Sequence, residues 1–258
     1  MPDLPRIWTS HVDRSAFIPD VVYVQREPGG NLIAVSRQDE PGTWEKLVGS
    51  DEPIVTKLKP ITFPDGSELP FWPASSSSAP SIMNIMLDNL RLEAGLSVLE
   101  IGTGTGWNAA IMAEAGAEVT TVEIDAEIAE RARETLGRAG YARVVVVTGD
   151  GELGVPDRAP YHRLIATAAV SVVPYEWIRQ VNDGGVIVFP YTGEYAEHGI
   201  VTLTVHDRAA SGEIRSQGQA GFMPLHGRGL SQEALSKIKD TARVKIVVTE
   251  HGQQVMAS

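Results

Sequence analysis

The chain has 258 residues, 43% of them hydrophobic, a formal net charge of −11 and no cysteine. This length suits one sizeable α/β domain with an extension, and no apolar run approaches the ~20 residues that span a bilayer. The absence of cysteine excludes disulfides and thiolate metal sites and makes the cytoplasm the default compartment. The acidic balance argues against nucleic acid, whose phosphates need a basic footprint.

The stretch Met1–Trp8 lacks the charged-then-apolar pattern of a secretory signal. Residues 1–74 are proline-punctuated, without a long helical period, and read as a small cap. Within them, Phe17–Asp20 and Tyr23–Gln25 suggest a short helix and a strand, and Asn31–Ser36 a hairpin arm after Gly29-Gly30. Asp65-Gly66 is a turn signal. Ser75–Ser78 reads as a polar loop, and Pro80 opens an amphipathic helix carrying Ile82, Ile85, Met86 and Leu90.

From Leu96 onward strands and helices alternate, which implies a mostly parallel sheet covered on both faces. Val98–Ile101 is the first strand, Val119–Asp125 the second, and a helix over Ala126–Ala139 stops at Gly140. The run Val144–Val147 is apolar on both faces, so the strand Arg143–Thr148 is expected to be central. Leu164–Ala169 gives the fourth strand and its exit, Pro174 opens a helix to Val181, Asp183–Gly185 turns, and Val186–Phe189 is the fifth strand. Ile200–Val205 and Glu213–Met223 form an expected antiparallel pair joined near Ser211-Gly212, followed by a helix over Gln232–Ala242 and a strand over Val244–Thr249. The six histidines are scattered without metal-binding spacing, so no metal site is expected.

The strand Val98–Ile101 runs into Gly102-Thr-Gly-Thr-Gly106 and then a helix from about Asn108. Such glycines let the backbone turn sharply and approach a ligand, with the first helical amides facing it. A dinucleotide fingerprint would require glycine where Trp107 stands. The spacing behind Glu100 instead resembles the first motif of S-adenosylmethionine-dependent methyltransferases with a Rossmann-like sheet. Glu123 ends the next strand, where an acid can accept from ribose hydroxyls.

Several further segments together resemble the protein-L-isoaspartate O-methyltransferase family. Ser78-Ala-Pro80 is similar to that family's Thr-Ile-Ser-Ala-Pro loop, with Ser76 at its threonine and Ser78 at its active serine. Gly149-Asp-Gly151, Ala166–Ala169 and Phe222–Leu225 match later motifs in order, and Phe17–Asp20 an early one. The resemblance implies a Rossmann-like class I methyltransferase sheet, mostly parallel with an antiparallel C-terminal pair. It divides the chain into a cap (1–74), an S-adenosylmethionine-dependent methyltransferase domain (75–225) and a C-terminal appendage (226–258).

Ser81, Tyr161-His162 and an insertion over Pro60–Trp72 depart from the family pattern. With the Glu100–Asn108 run and the four serines, this pattern is similar to that of members associated with ribosomal peptide maturation. Those members methylate an aspartate of a cyclised peptide, and the ester collapses to an aspartimide. The implied partner is then a peptide, an acidic, cyclised precursor, with no nucleic acid and no membrane, and no oligomeric state can be read from the sequence. Repair of isoaspartyl residues in aged proteins is the alternative, and a non-catalytic cofactor-binding scaffold is another.

Methyl transfer to a carboxylate needs positioning rather than a base, because a side-chain carboxyl with a pKa of ~4 is already ionised at neutral pH. Ser78 and then Ser76 are therefore assigned to substrate orientation, against a linker reading with Ser78 as helix cap. The cofactor set is Glu100, Gly102, Thr103, Gly104, Thr105, Gly106, Glu123, Ile124, Asp150, Gly151 and Thr167. Glu100 would hold the methionine amine or cap loop amides. Asp150 would accept from the adenine amino group, with Gly151 beneath the base, or the pair is only a turn. Thr167 would face the methyl or merely pack. Trp107 would cover the nucleoside or belong to the core. The locally basic tail from His226 to His251 would meet an acidic peptide or be a solvated face.

Overall fold

The structure, a computed structural model, describes residues 7–25, 31–62, 66, 68–193, 196–215, 222–223, 225 and 244–257. Two 3-10 turns, Trp8–His11 and Arg14–Phe17, precede strands β1 (Val21–Gln25) and β2 (Leu32–Ser36), helix α1 (Pro41–Val48), and strands β3 (Ile54–Thr62) and β4 (Glu68–Ser77). These strands form an antiparallel sheet in the order β2-β1-β3-β4. Helix α1 has no counterpart in the sequence reading. It starts with Pro41 in its first turn and seats Trp44 and Val48 against Val22, Val35 and Ile54.

The expected polar loop at Ser75–Ser78 is corrected here. Ser75, Ser76 and Ser77 belong to β4 and pair with Lys57, Val55 and Ile54 of β3. The expected boundary at residue 74 therefore falls inside a strand. Ser78 does not cap the next helix, α2 (Pro80–Leu90), whose N-cap is Ala79. That helix buries Met83, Met86, Leu87 and Leu90, a stripe one step round from the expected one.

The main sheet contains β5 (Ser97–Ile101), β6 (Glu118–Glu123), β7 (Val145–Thr148), β8 (Tyr161–Ala166), β9 (Val181–Gly193), β10 (Ala196–His206), β11 (Ala209–Arg215), β12 (Val244–Thr249) and β13 (Gly252–Ala257). Its order is β13-β12-β11-β10-β9-β8-β5-β6-β7. Strands β7, β6, β5, β8 and β9 are mutually parallel, and β10 to β13 continue antiparallel from β9. Between β5 and β8 the chain order reverses, and their carboxyl ends open a crevice there. Helices α3 (Trp107–Glu114), α4 (Ala126–Arg138) and α5 (Tyr175–Gln180) complete the crossovers. Every residue of α3 from Trp107 to Ala113 is buried, as suits a helix that is apolar on every side apart from Asn108.

Several expectations are corrected by this sheet. Val145–Thr148 is an edge strand, not a central one. Its apolar run covers both faces, and Arg133 of α4 donates to the Val146 carbonyl (3.2 Å) from outside the ladder. The hairpin between β10 and β11 turns at Asp207-Arg208, both at positive φ (50° and 62°). Gly212 lies within β11 instead, where a Cβ would stand 1.8 Å from the Thr202 carbonyl oxygen. Asp183–Gly185 is the bulged start of β9 rather than a turn. The antiparallel part is four strands rather than a pair, because residues 244–257 extend the main sheet instead of forming an appendage. The expected helix over Gln232–Ala242 lies outside the described residues.

What holds the two sheets together is mostly apolar. Trp8, Val12 and Phe17 are buried in the same cluster as Met86, Leu87 and Trp107, each large side chain worth ~1.5–3 kcal/mol on full burial. Lys57 of β3 also bridges Asp125 and Glu127 at the start of α4, both at 2.8 Å. These groups are open to solvent, which screens them, so the bridge adds little to stability. Asp125 in addition caps α4 by accepting from the Glu127 and Ile128 amides. Replacing Gly212 by alanine is expected to cost ~3 kcal/mol or more, or to prevent folding, because the partner is backbone that cannot yield. Denaturant unfolding of the Gly212→Ala protein checks this; an unchanged midpoint would contradict the register of β10 and β11.

Candidate active site

The carboxyl ends of β5, β6 and β8 converge on one cleft, and the glycine loop after β5 forms its floor. Gly102, Gly104 and Gly106 all take positive φ (90°, 52° and 84°), which lets the chain reverse twice in five residues. The loop is tied to both neighbours of β5. Gly102 N–H donates to Val122 O (2.9 Å) and Gly104 N–H to the Glu123 carboxylate (3.0 Å) on the β6 side. On the β8 side the Thr167 hydroxyl donates to Gly102 O (2.7 Å). A Cβ at residue 102 would sit 2.9 Å from that hydroxyl oxygen.

Glu100 lies behind the loop, with no solvent exposure. One of its oxygens accepts from Asn108 Nδ2 (2.8 Å) and the other from the Thr121 hydroxyl (2.7 Å), which also contacts the Thr103 hydroxyl. Burial pushes the Glu100 carboxyl up from 4.5 to about 7; the Thr121 and Asn108 hydrogen bonds oppose this, and the Glu123 charge adds to it. Its partners are side chains, so the expectation that it caps loop amides is not met; Glu123 does that. Beside it, Asn108 Oδ1 is buried with no hydrogen-bond partner. A buried carboxylate without a countercharge and an orphaned acceptor together suit an ammonium group.

Other expected residues fall into two groups. Ser76, Ser78, Thr103, Thr105, Ile124, Asp150, Gly151 and Thr167 line the cleft, together with Glu100, Gly102, Gly104 and Glu123. Gly106 does not; a Cβ there would meet Leu136 of α4 at 3.1 Å, so this glycine serves helix packing. Asp150 Oδ1 accepts from Glu152 N–H (2.9 Å), so the turn reading holds, and it leaves the second oxygen free of that bond. A Cβ on Gly151 would come 2.5 Å from Ile101, so the backbone alone fits there. Trp107 belongs to the core, where its Nε1 donates to Val12 O (3.1 Å), and it also lines the cleft. Thr167 is a strut for the glycine loop.

Strand β4 brings the serines to this loop from the other sheet. Ser76 O and Ser75 Oγ lie 3.5 and 3.8 Å from a Cβ placed on Gly104, ordinary contact distances. Met223 and Leu225 close the opposite wall, held by Ala169 N–H to Met223 O and Leu225 N–H to Ala169 O, both 2.8 Å. Three carboxylates, Glu100, Glu123 and Asp150, face the cleft, and Lys59 is the lone cation among its described lining residues. That balance favours a cationic ligand. Among the described residues no cluster of histidine, aspartate and glutamate is arranged for a metal, and no helix is long and apolar enough to cross a membrane.

The lining residues Asn108 and Lys59 escaped the sequence reading, as did Arg14, which lies outside the cleft and binds the serine segment. Asn108 had a legible signal, as the one polar residue in Trp107–Ala113. Arg14 had none, because its hydrogen-bond partners lie 34 to 64 residues away.

Residues 57–230 match the family model for protein-L-isoaspartate(D-aspartate) O-methyltransferase. A protein-L-isoaspartate O-methyltransferase of Methanococcoides burtonii is 39% identical over 200 residues, covering 71% of this chain and 96% of the relative. One of Thermococcus onnurineus is 40% identical over 161 residues, covering 62% and 73%. A solved protein-L-isoaspartate O-methyltransferase superposes with a TM-score of 0.64 at 26% identity, covering 86% of this chain; the chain spans 62% of that structure's length. A Plasmodium falciparum structure with S-adenosyl-L-homocysteine bound shares the fold at a TM-score of 0.51 and 14% identity, over 67% of this chain and 82% of that one. The sheet is that of the class I S-adenosylmethionine-dependent methyltransferases, and the chain belongs to the protein-L-isoaspartate(D-aspartate) O-methyltransferase family.

Proposed function

We propose that this protein transfers a methyl group from S-adenosylmethionine to the free carboxylate of isoaspartyl residues in proteins or peptides, the repair reaction. The observation that carries this reading is the meeting of the Ser75–Ser78 segment with the glycine loop in one cleft, within a chain of this family. The sulfonium cofactor supplies an electrophilic methyl group and leaves as a neutral thioether. Glu100 and Asn108 Oδ1 hold the cofactor's ammonium, Glu123 accepts from its ribose hydroxyls, and Asp150 with Gly151 takes the adenine edge and face. Gly102, Thr103, Gly104 and Thr105 give the backbone approach, and Ile124 covers the base.

The substrate carboxylate is its own nucleophile, since its ordinary pKa of ~4 leaves it ionised at neutral pH. Its attack forms a carbon–oxygen bond as the carbon–sulfur bond breaks, and two opposite charges vanish together. No residue need accept a proton. Ser78 and Ser76 hold one oxygen so that the other is aligned, the kind of orientation worth ~7–11 kcal/mol when complete. The resulting ester, unlike the carboxylate, is open to attack by a neighbouring backbone amide.

The narrower reading, methylation of an aspartate in a cyclised ribosomal peptide, draws on Ser81, Tyr161-His162, the Pro60–Trp72 insertion, the Glu100–Asn108 pattern and the serine run, and the basic tail would suit an acidic peptide. The tail from 226 to 243 lies outside the described residues, and the relatives reported above are named for isoaspartate. Repair is therefore preferred. Supplying an isoaspartyl peptide, its aspartyl isomer and a cyclised aspartyl peptide with the same donor separates these. We expect ester chiefly on the isoaspartyl peptide. Preference for the cyclised peptide would support maturation instead, and cofactor binding without any turnover would support a scaffold. Ser78→Ala is expected to lower kcat about tenfold or more while S-adenosylhomocysteine affinity stays within about twofold.

Glu100 makes a second prediction. Its folded pKa of about 7 exceeds the ordinary 4.5, so the ligand-free fold gains stability that is fully present below pH 4.5 and lost as pH rises through 7. An ammonium at this site favours the ionised carboxyl, so binding expels the proton. S-adenosylhomocysteine affinity should therefore weaken roughly tenfold from pH 8 to pH 6, with proton release at pH 6 in calorimetry. Glu100→Gln should bind more weakly and show no such slope. A flat wild-type profile would place the ammonium elsewhere.

A further inference from the structure

Arg14 is 6% exposed, and it spends its donors on backbone and one hydroxyl. Nε donates to Ser77 Oγ (3.1 Å); Nη2 donates to Ser77 O (3.1 Å), Ser78 O (3.0 Å) and Glu52 O (3.0 Å). Nη1 donates to Ser50 O (3.1 Å) and, at 3.5 Å, to Val48 O. The guanidinium carbon lies 5.3 Å from the centroid of the Trp107 ring, and Trp107 directly follows the glycine loop. Burial lowers the Arg14 pKa to about 10, opposed by the Asp51 charge, and the group stays cationic at neutral pH.

A buried charge with no ion pair among the described residues is a poor way to gain stability, because apolar packing does as well without the desolvation cost. What a guanidinium offers instead is geometry, a planar fork that fixes several acceptors at once. In a trans peptide the N–H points opposite to the C=O. Two successive carbonyls, Ser77 and Ser78, are drawn to Arg14, so the N–H groups of Ser78 and Ala79 turn away from it. Ser77 and Ser78 line the cleft, and Arg14 does not. Neither N–H donates to another described residue.

We propose that Arg14 is a positioning residue for methyl transfer. It holds the Ser77 and Ser78 peptide planes so that the Ser78 hydroxyl and the Ser78 and Ala79 N–H groups face the oxygen of the bound substrate carboxylate. This rests on the reading of Ser76–Ser78 as the substrate's resting place. Lysine at residue 14 keeps the charge but presents its donors from one point, so it cannot span Ser77 Oγ, Ser77 O and Ser78 O together.

The test uses the full chain with Arg14→Lys and Arg14→Gly, an isoaspartyl peptide and an aspartyl peptide. For Arg14→Lys we expect kcat to fall ~10-fold or more, S-adenosylhomocysteine affinity to stay within about twofold, and hydrogen exchange at the end of β4 to quicken. Added methylguanidinium should restore part of kcat in Arg14→Gly and leave the wild type unchanged. Unchanged kcat in Arg14→Lys, an equal loss of kcat and cofactor affinity without rescue, or failure of both variants to fold would each overturn the proposal. Wild-type turnover reports separately on the proposed reaction. If neither peptide is methylated, the exchange rate at the end of β4 still decides for or against Arg14: unchanged exchange in Arg14→Lys overturns it.

Discussion

The end of β4 rests on the Gly104 turn, with Ser76 O and Ser75 Oγ at the distances where any side chain on that glycine would begin. Two sheets that fold on separate cores thereby share one cleft. Everything proposed for the chemistry depends on that seam. The nine-stranded sheet supplies the loop, Glu100 and Glu123. The smaller sheet supplies the serines, and Trp8, Val12 and Phe17 anchor the segment that joins them to the main core.

In the proposed reaction the cleft takes a cation and an anion together. Its carboxylates favour a cation, and the buried Glu100 has no counterion of its own among the described residues. A bound sulfonium with its ammonium would offset that charge before an anionic substrate enters. The positive side chains near the serines do different work. Lys59 stands on the cleft lining, whereas Arg14 is behind the serine segment and reaches the cleft only through peptide planes. The Lys57 bridge to Asp125 and Glu127 reinforces the seam from outside. It raises the Lys57 pKa, the two acids outweighing burial, but carries little of the stability.

Local chemistry made much of this legible. The glycine run behind Glu100, the acid ending β6, and the Gly140 stop after α4 follow from turn and capping rules that act over a few residues. The family resemblance placed the serines, although their expected loop is a strand. The failures have a common cause, which is that they depend on distant partners. Val144–Val147 reads the same whether its strand is central or at an edge covered by Arg133. Gly212 looks like a turn until its approach to Thr202 O is known. Gly106 has the spacing of a ligand loop, yet its neighbour is Leu136. Arg14 joins residues far apart in sequence, and nothing beside it marks that role.

In the proposed reaction the serine segment and the glycine loop grip one reacting pair between them. A crystal structure with S-adenosylhomocysteine and an isoaspartyl peptide tests it most directly. We expect the homocysteine ammonium beside Glu100 and Asn108, the ribose on Glu123, and the peptide carboxylate between Ser78 and the sulfur. A nucleoside outside the Gly102–Gly104 turn, or a carboxylate bound away from Ser78, would contradict it.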